Sequence, residues 1–273
     1  QKWETYRTLA DAKRRKAEIE RRQELGVMNV PTCKTVADLL KEYVSLYGTT
    51  TWSLSVYSSN TRLIRNYINP VIGKMNLCEI SPRILEKYYQ TLLHTPAVSR
   101  ITQKRGTKDT GFIQPATVRK VHSLLRSAFN QAVKWELMEK NPAIHATVPK
   151  AVPQKREVWD AETIFLALDV CDDARLKLAI NLSFACSMRI GEIPGLTWDC
   201  VDFSPKSIAD GTASIMIEKE LQRVDKTAMK SLEQKDVLFI FPQSSKRNTS
   251  MLVLKKPKTE SSVRKVFIPA TVA

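Results

Sequence analysis

The sequence predicts a multidomain protein, an all-α domain followed by a mixed α+β domain, and three observations carry that prediction. The chain has 273 residues, 43% of them hydrophobic, which suits about two packed domains. Residues 32–148 hold four segments whose apolar side chains recur at helical spacing. Beyond a proline-containing stretch at 149–158, short β-like runs alternate with helical ones.

Residues 8–25 read as an exposed helix of alternating charge closed by Gly26, with too few apolar positions to build a core. Thr35 opens T-V-A-D, a capping-box start in which Asp38 stands where Glu or Gln is preferred. Val36, Leu39, Leu40, Tyr43, Val44 and Tyr47 follow on one helix face. A second helix carries Leu63, Ile64, Tyr67 and Ile68 and is expected to end by Pro70. Ser81-Pro82 is an N-cap and a first-turn proline for a third, striped by Leu85, Tyr88, Tyr89, Leu92 and Leu93. The fourth is expected from about Ala116 to Lys140, with Val118, Val121, Leu125, Ala128, Phe129 and Ala132 inward. Its other face shows Arg119, Lys120, His122, Ser123, Arg126 and Lys134. Between the third and fourth lies His94–Pro115, a connection long enough to suit a phosphate-contacting loop through Arg100, Lys104, Arg105 and Lys108, or a floppy surface loop. Asn141-Pro142 stops the helical part, and 149–158 reads as a linker. After it, Asp160 can cap a helix, Arg175–Ser187 is a mostly apolar helix, and Ala213–Ile217, Val237–Phe241 and Val266–Ile268 are β-like.

The charge points to a polyanionic partner. The net charge is +15, and residues 31–150, with 17 basic and 7 acidic side chains, hold +10 of it. No run approaches the ~18 apolar residues of a membrane span, and a cytoplasmic, nucleoid-associated protein is expected. Five scattered cysteines without a C-x-x-C pair fit buried reduced thiols and support neither a zinc site nor a disulfide framework.

The informative string is C-S-M-R-I-G-E-I-P-G-L-T-W-D at 186–199. An apolar helix delivers Arg189 to a turn, where a guanidinium fork can meet a phosphate, and Glu192 can hold that fork in place. Spacing alone leaves open an Arg–Glu pair that merely knits two helices together.

R-x-G-E followed by L-x-W-x-D resembles the first active-site box of the tyrosine recombinase (phage integrase) family. Val201-Asp202-Phe203 continues as the family's strand does, and K-P-K-T-E-S-S-V-R-K-V at 256–266 resembles its K-T-x-x-S-x-R hairpin. The helices ending in F-N-Q-A-V-K-W-E-L-M-E-K-N-P resemble the core-binding domain of integrases from prophages and conjugative transposons. The resemblance implies a SAM-like core-binding domain at 32–148, a linker at 149–158, and an incomplete catalytic domain at 159–273. Residues 1–31 would be a connecting helix after a missing arm-binding domain. It implies that Arg189 holds the non-bridging oxygens of a scissile phosphate, that Lys258 is the general acid, and that Glu192 orients the arginine. Lys255 and Lys256 are near alternatives to Lys258. Arg119, Lys120, Arg126 and Lys134, with the four basic residues of the loop, would contact DNA. It implies further a homotetramer on two duplex core sites, a 3′-phosphotyrosine intermediate, integration or excision of a mobile element, and no metal or cofactor.

The sequence departs from the family in three places, one being residues 221–255, longer than a minimal hairpin requires, which loosens the match of Lys258. Ser187 stands where glycine is usual. The H-x-x-R motif and nucleophilic tyrosine are not found: all three histidines precede Arg189 and all seven tyrosines precede residue 90. This chain alone is therefore expected to be inactive, with part of the second domain's core uncovered. A truncated, non-catalytic relative that occupies recombination sites is the alternative. A helix-turn-helix regulator using residues 116–134 ranks lower, since it leaves the Arg189 string unexplained.

Overall fold

The computed structural model describes residues 5–6, 8–24, 33–98, 111–152, 157–243, 245 and 248–273. It divides into two compact units, one formed by Gln1–Tyr43 and Arg65–Ala151, the other by Val44–Ile64 and Val152–Ala273. The expected linker at 149–158 brackets the second of these divisions, while residues 44–64 group with the second unit.

The first unit is helical among its described residues. After α1 (Leu9–Glu24), the Thr35 hydroxyl caps α2 (Val36–Glu42) through the Asp38 N–H, and the Asp38 carboxylate accepts the Thr35 N–H in return. Asp therefore closes the capping box that Glu or Gln usually closes. The expected closing residue of α1, Gly26, lies outside the described residues. A π-helical turn, Tyr43–Gly48, follows α2.

Pro70 does not end the second helix as expected. α3 (Leu54–Leu63) leads into a π-helical turn, Ile64–Ile68, and Pro70 then sits in the first turn of a short helix, Asn69–Ile72. In a first turn the proline's missing N–H has no partner to lose. α4 (Pro82–Leu93) starts on Ser81, whose hydroxyl accepts the Ile84 N–H, and buries Leu85, Tyr88, Tyr89 and Leu92. The segment between α4 and the next helix is closed at its base by an antiparallel bridge between Pro96 and Phe112.

α5 (Pro115–Lys134) packs against α2 and α4 and buries Val118, Val121, Leu124, Leu125, Ala128, Phe129 and Ala132. It ends six residues earlier than expected. Glu136 takes a left-handed φ of 60°, the Glu136 N–H returns to the Val133 carbonyl, and the Leu137 N–H returns to that of Ala132. This is a Schellman stop built without glycine. Asn141 then stitches the chain back to the helix, donating to the Arg126 carbonyl at 2.9 Å and the Asn130 side chain at 2.7 Å.

In the second unit, Asp160 caps α6 (Ala161–Val170) and Asp173 caps α7 (Ala174–Cys186). Two antiparallel three-stranded sheets follow. One orders β1 (Val201–Asp202), β2 (Ser214–Ile217) and β6 (Arg264–Phe267); the other orders β3 (Glu220–Asp225), β5 (Ser250–Lys255) and β4 (Val237–Ile240). The helices α8 (Pro205–Ala209) and α9 (Lys226–Ser231) lie within the connections, and α3 packs on β3 and α9. The β-like runs fall on β2, β4 and β6, whereas β3 and β5 were not expected. Leu182, Cys186, Met188, Ile215, Ile217 and Ile268 form the core under the first sheet.

Phe165, Leu166 and Val170 on α6 and Leu176, Leu178 and Phe184 on α7 are exposed. The expectation of buried thiols holds for Cys33, Cys186 and Cys200, but Cys78 is exposed and Cys171 half-exposed; none of the five is in a disulfide. No helix among the described residues is long and apolar enough to cross a membrane.

Candidate functional site

α7 ends on Ser187, which adopts φ 50° and ψ 36°, the left-handed conformation that reverses the chain. Two residues on, Arg189 emerges at the surface with its side chain 67% exposed, and a tight turn carries the chain to Glu192. Gly195 lets this turn lie against the second sheet. The Leu221 N–H donates to the Gly191 carbonyl at 2.7 Å, and a Cβ on Gly195 would stand 2.9 Å from the Glu220 Cα and the Leu221 nitrogen. The close approach of β3 thus requires glycine at 195.

Glu192 is buried and its carboxylate accepts four bonds. Oε1 accepts from Arg189 Nη1 at 2.8 Å and Arg264 Nη1 at 3.0 Å. Oε2 accepts from the Arg189 backbone N–H at 2.9 Å and Arg264 Nη2 at 2.8 Å. Burial alone pushes this carboxyl up, but the bonds from Arg264 and Arg189 outweigh it and hold it at about 2. With its lone pairs filled, Glu192 is unsuited to proton transfer and suited to holding guanidinium groups. Arg189 commits one of its five side-chain donors to Glu192 among the described residues and turns the remainder toward solvent. That is a fork anchored at one corner and open to an anion.

Their surroundings set Lys255 apart from the other two candidate lysines. Lys255, at the end of β5, is buried and paired with Glu220 at 3.1 Å, the residue opposite it in the ladder. Its ammonium is thereby engaged. Lys256 and Lys258 are exposed, and Lys258 precedes a single 3₁₀ turn, Glu260–Ser262, that leads into β6.

Two ionic residues of this region were not singled out as site residues from sequence. Arg264 stood inside the quoted K-T-x-x-S-x-R string, but nothing in that string reveals its partner 72 positions earlier. Lys219 carries no sequence signal at all. Its largely buried ammonium bonds the Asp199 carboxylate and, at 2.8 Å, the Thr197 hydroxyl. The Lys219 bond holds Asp199 at about 2, and Asp199 in turn raises Lys219. Asp199, Cys200 and Glu218 gather potential metal-ligating atoms within 4.8 Å of one another, yet Lys219 already lies 3.5 Å from Glu218 and neutralises that acidity.

In the first unit, Arg119, Lys120, Arg126 and Lys134 are all exposed on α5, opposite its buried stripe. None is paired with a carboxylate among the described residues. His122 lies between them and meets the Tyr89 hydroxyl on α4 through Nδ1. Partial burial, then the neighbouring Arg126 and Arg119, lower the His122 pKa, so the imidazole is neutral at pH 7. Arg100, Lys104, Arg105 and Lys108 lie outside the described residues.

Residues 35–93 match the family model described as phage integrase, N-terminal SAM-like domain. A curated tyrosine recombinase, XerC-like, of Caldanaerobacter subterraneus subsp. tengcongensis is 25% identical over 214 residues, 76% of this chain and 45% of that protein. An integrase of Streptomyces ambofaciens is 23% identical over 71% of this chain and 46% of its own length. The chain thus spans about half the length of the curated relatives it matches. Among solved structures, the integrase of transposon Tn1549 in complex with a circular intermediate DNA aligns at a TM-score of 0.61 and 15% identity, covering 88% of this chain and 63% of that one. A lambda integrase tetramer bound to a Holliday junction aligns at 0.51 and 15% identity, covering 78% and 57%. These two likenesses concern the fold. Together with the matched SAM-like segment and the curated relatives, they support the resemblance to the tyrosine recombinase (phage integrase) family.

Proposed function

We propose that this chain is the duplex-gripping and phosphate-holding part of a site-specific DNA recombinase. The observation that carries the reading is Arg189, whose guanidinium is anchored by a buried, saturated carboxylate and yet faces solvent. Negative charge builds on the phosphoryl oxygens as a scissile phosphate is attacked, and a fixed guanidinium stabilises that charge without reorganising. Glu192 keeps the fork in place. Lys258, exposed beside the turn into β6 and matching the motif lysine, is assigned to protonate the leaving 5′-oxygen; Lys255 is buried against Glu220, and Lys256 is the remaining exposed alternative.

Residues 32–148 act as the core-binding domain and 159–273 as the catalytic domain, joined by the linker at 149–158, with 1–31 a connecting helix. The α5 face of Arg119, Lys120, Arg126 and Lys134 contacts backbone phosphates, aided by Arg100, Lys104, Arg105 and Lys108. In the complete enzyme a tyrosine forms a 3′-phosphotyrosine and four protomers act on two core sites, integrating or excising a mobile element in the cytoplasm. No residue of this chain is assigned as that nucleophile.

The test is selection of duplexes from a random pool by the purified chain, followed by fluorescence anisotropy on the selected sequence. A selected duplex bound more tightly than a scrambled one, with Arg189→Ala leaving affinity nearly intact, supports the reading. Failure to enrich any sequence, or a salt-insensitive affinity, overturns it.

A further inference from the structure

We propose that Arg264 is a positioning residue that locks the Arg189 guanidinium and the Lys258 turn into one frame. The inference rests on the reading of Arg189 as the phosphate holder and names what aims it.

Three contacts carry it. Both terminal nitrogens of Arg264 engage the two oxygens of Glu192, so the carboxylate cannot rotate away from Arg189. Nη2 also donates to the Ser187 carbonyl at 3.3 Å. Ser187 is the left-handed residue that sets the direction in which the chain reaches Arg189, so Arg264 holds both the backbone and the counter-charge of that arginine. Nη1 donates to the Ser262 carbonyl at 3.3 Å, within the 3₁₀ turn after Lys258. That turn is further tied by the Thr259 hydroxyl, 3.0 Å from that of Ser261 and 2.9 Å from that of Ser262. Arg264 itself is fixed by the ladder, opposite Ile217 in the register of β2 with β6.

The division of labour between the two arginines follows from exposure. The Arg264 side chain is 29% exposed and spends four contacts on protein oxygens, whereas Arg189 is 67% exposed and spends one side-chain donor on Glu192. Without Arg264, Glu192 would lose two of its four donors and bind Arg189 in a looser geometry. Lysine could supply the charge but not the planar two-nitrogen grip.

The test uses the full 273-residue chain, labelled with ¹⁵N, and follows the Arg189 Nε–Hε resonance, assigned by its loss in Arg189→Lys. Inorganic phosphate is the probe. In Arg264→Ala the Arg189 resonance is expected to broaden or move to the position of free arginine. Its phosphate affinity should weaken on the order of tenfold, the lower end of what losing an orienting partner costs. Amides of α5, remote in sequence and in the other unit, should keep their positions, which a general loss of structure would not allow. Arg264→Lys should fall between the two, and it carries the test if Arg264→Ala does not fold. An Arg189 resonance and affinity unchanged in Arg264→Ala, or a lysine variant indistinguishable from wild type, overturns the proposal. If wild-type Arg189 ignores phosphate while its resonance is still released in Arg264→Ala, the positioning role stands and the phosphate-holding reading fails.

Discussion

The Tyr89 hydroxyl on α4 meets Nδ1 of His122 on α5 at 2.9 Å, with the two rings edge to face. The contact joins the packed interior of the helical unit to its basic outer face, since His122 stands between Arg119 and Arg126. Tyr89→Phe should cost about 1 kcal/mol, the net worth of one such bond, read from urea denaturation. The imidazole adds a pH signature. Its folded pKa lies below its ordinary value, so the unfolded chain binds the extra proton first. Stability from this group is complete above the unfolded value of 6.5 and declines as pH falls through the interval beneath it. His122→Gln should flatten that part of the profile; an unchanged slope would show that another group is responsible.

Glu192 gives a second, more acidic signature of the same sign. Its carboxyl is held at about 2 against an ordinary 4.5. The stability it contributes is complete above 4.5 and is lost as pH falls toward 2. Thermal melts of wild type and Glu192→Gln between pH 5 and pH 2.5 should converge at the acid end, because protonation does to the wild type what the amide does permanently. Curves that stay parallel would show that the carboxylate bonds contribute little to the fold.

Among the described residues, Glu136 after α5, Ser187 after α7 and Glu233 after α9 stop helices in left-handed geometry, with φ of 60°, 50° and 46°. A side chain there is strained by about 1–2 kcal/mol, and glycine returns part of that gain through its freer unfolded state. Glu136→Gly and Ser187→Gly should each stabilise by about 0.5–1 kcal/mol, visible as a raised Tm. A lowered Tm would mean that the stop depends on side-chain contacts rather than on backbone conformation.

Gly195→Ala should act in the opposite direction. The new Cβ meets backbone atoms of Glu220 and Leu221 at 2.9 Å, and backbone cannot swing aside as a side-chain end can. A loss of about 1–3 kcal/mol is expected, together with weaker phosphate binding at Arg189, because the turn must lift off β3.

Arg119→Ala and Arg126→Ala test the basic face. Each removes one phosphate contact, so the slope of log affinity against log salt should fall by about 0.9 per substitution with little change in preference between sequences. Anisotropy titrations from 50 to 200 mM salt decide it. A slope that does not move would take α5 off the duplex.

Much of this arrangement was readable from residue patterns. The apolar stripes of α4 and α5, the Ser81-Pro82 start and the Thr35 box follow from local chemistry, and the structure keeps them. The Arg189–Glu192 pair was legible because its members are three residues apart on one turn. Arg264 was not, because its role arises from strand register across 72 positions, and no local rule reports which carboxylate a strand will face. β3 escaped for a related reason. In E-L-Q-R-V-D the alternation is broken by polar residues, one of which, Glu220, is paired across the ladder with Lys255. The end of α5 was misjudged because a Schellman stop normally announces itself with glycine, and here glutamate fills that place.

The long reach from Glu192 to Arg264 also orders events in time. At roughly 5–20 residues per second of synthesis, the 72 intervening positions take about 4–14 s to emerge. Through that interval Glu192 has only Arg189 as partner, and the left-handed turn at Ser187 lacks its guanidinium strap. The anion-facing arginine therefore matures only when β6 joins the sheet, and the nascent chain passes through its earlier stages without a formed phosphate grip.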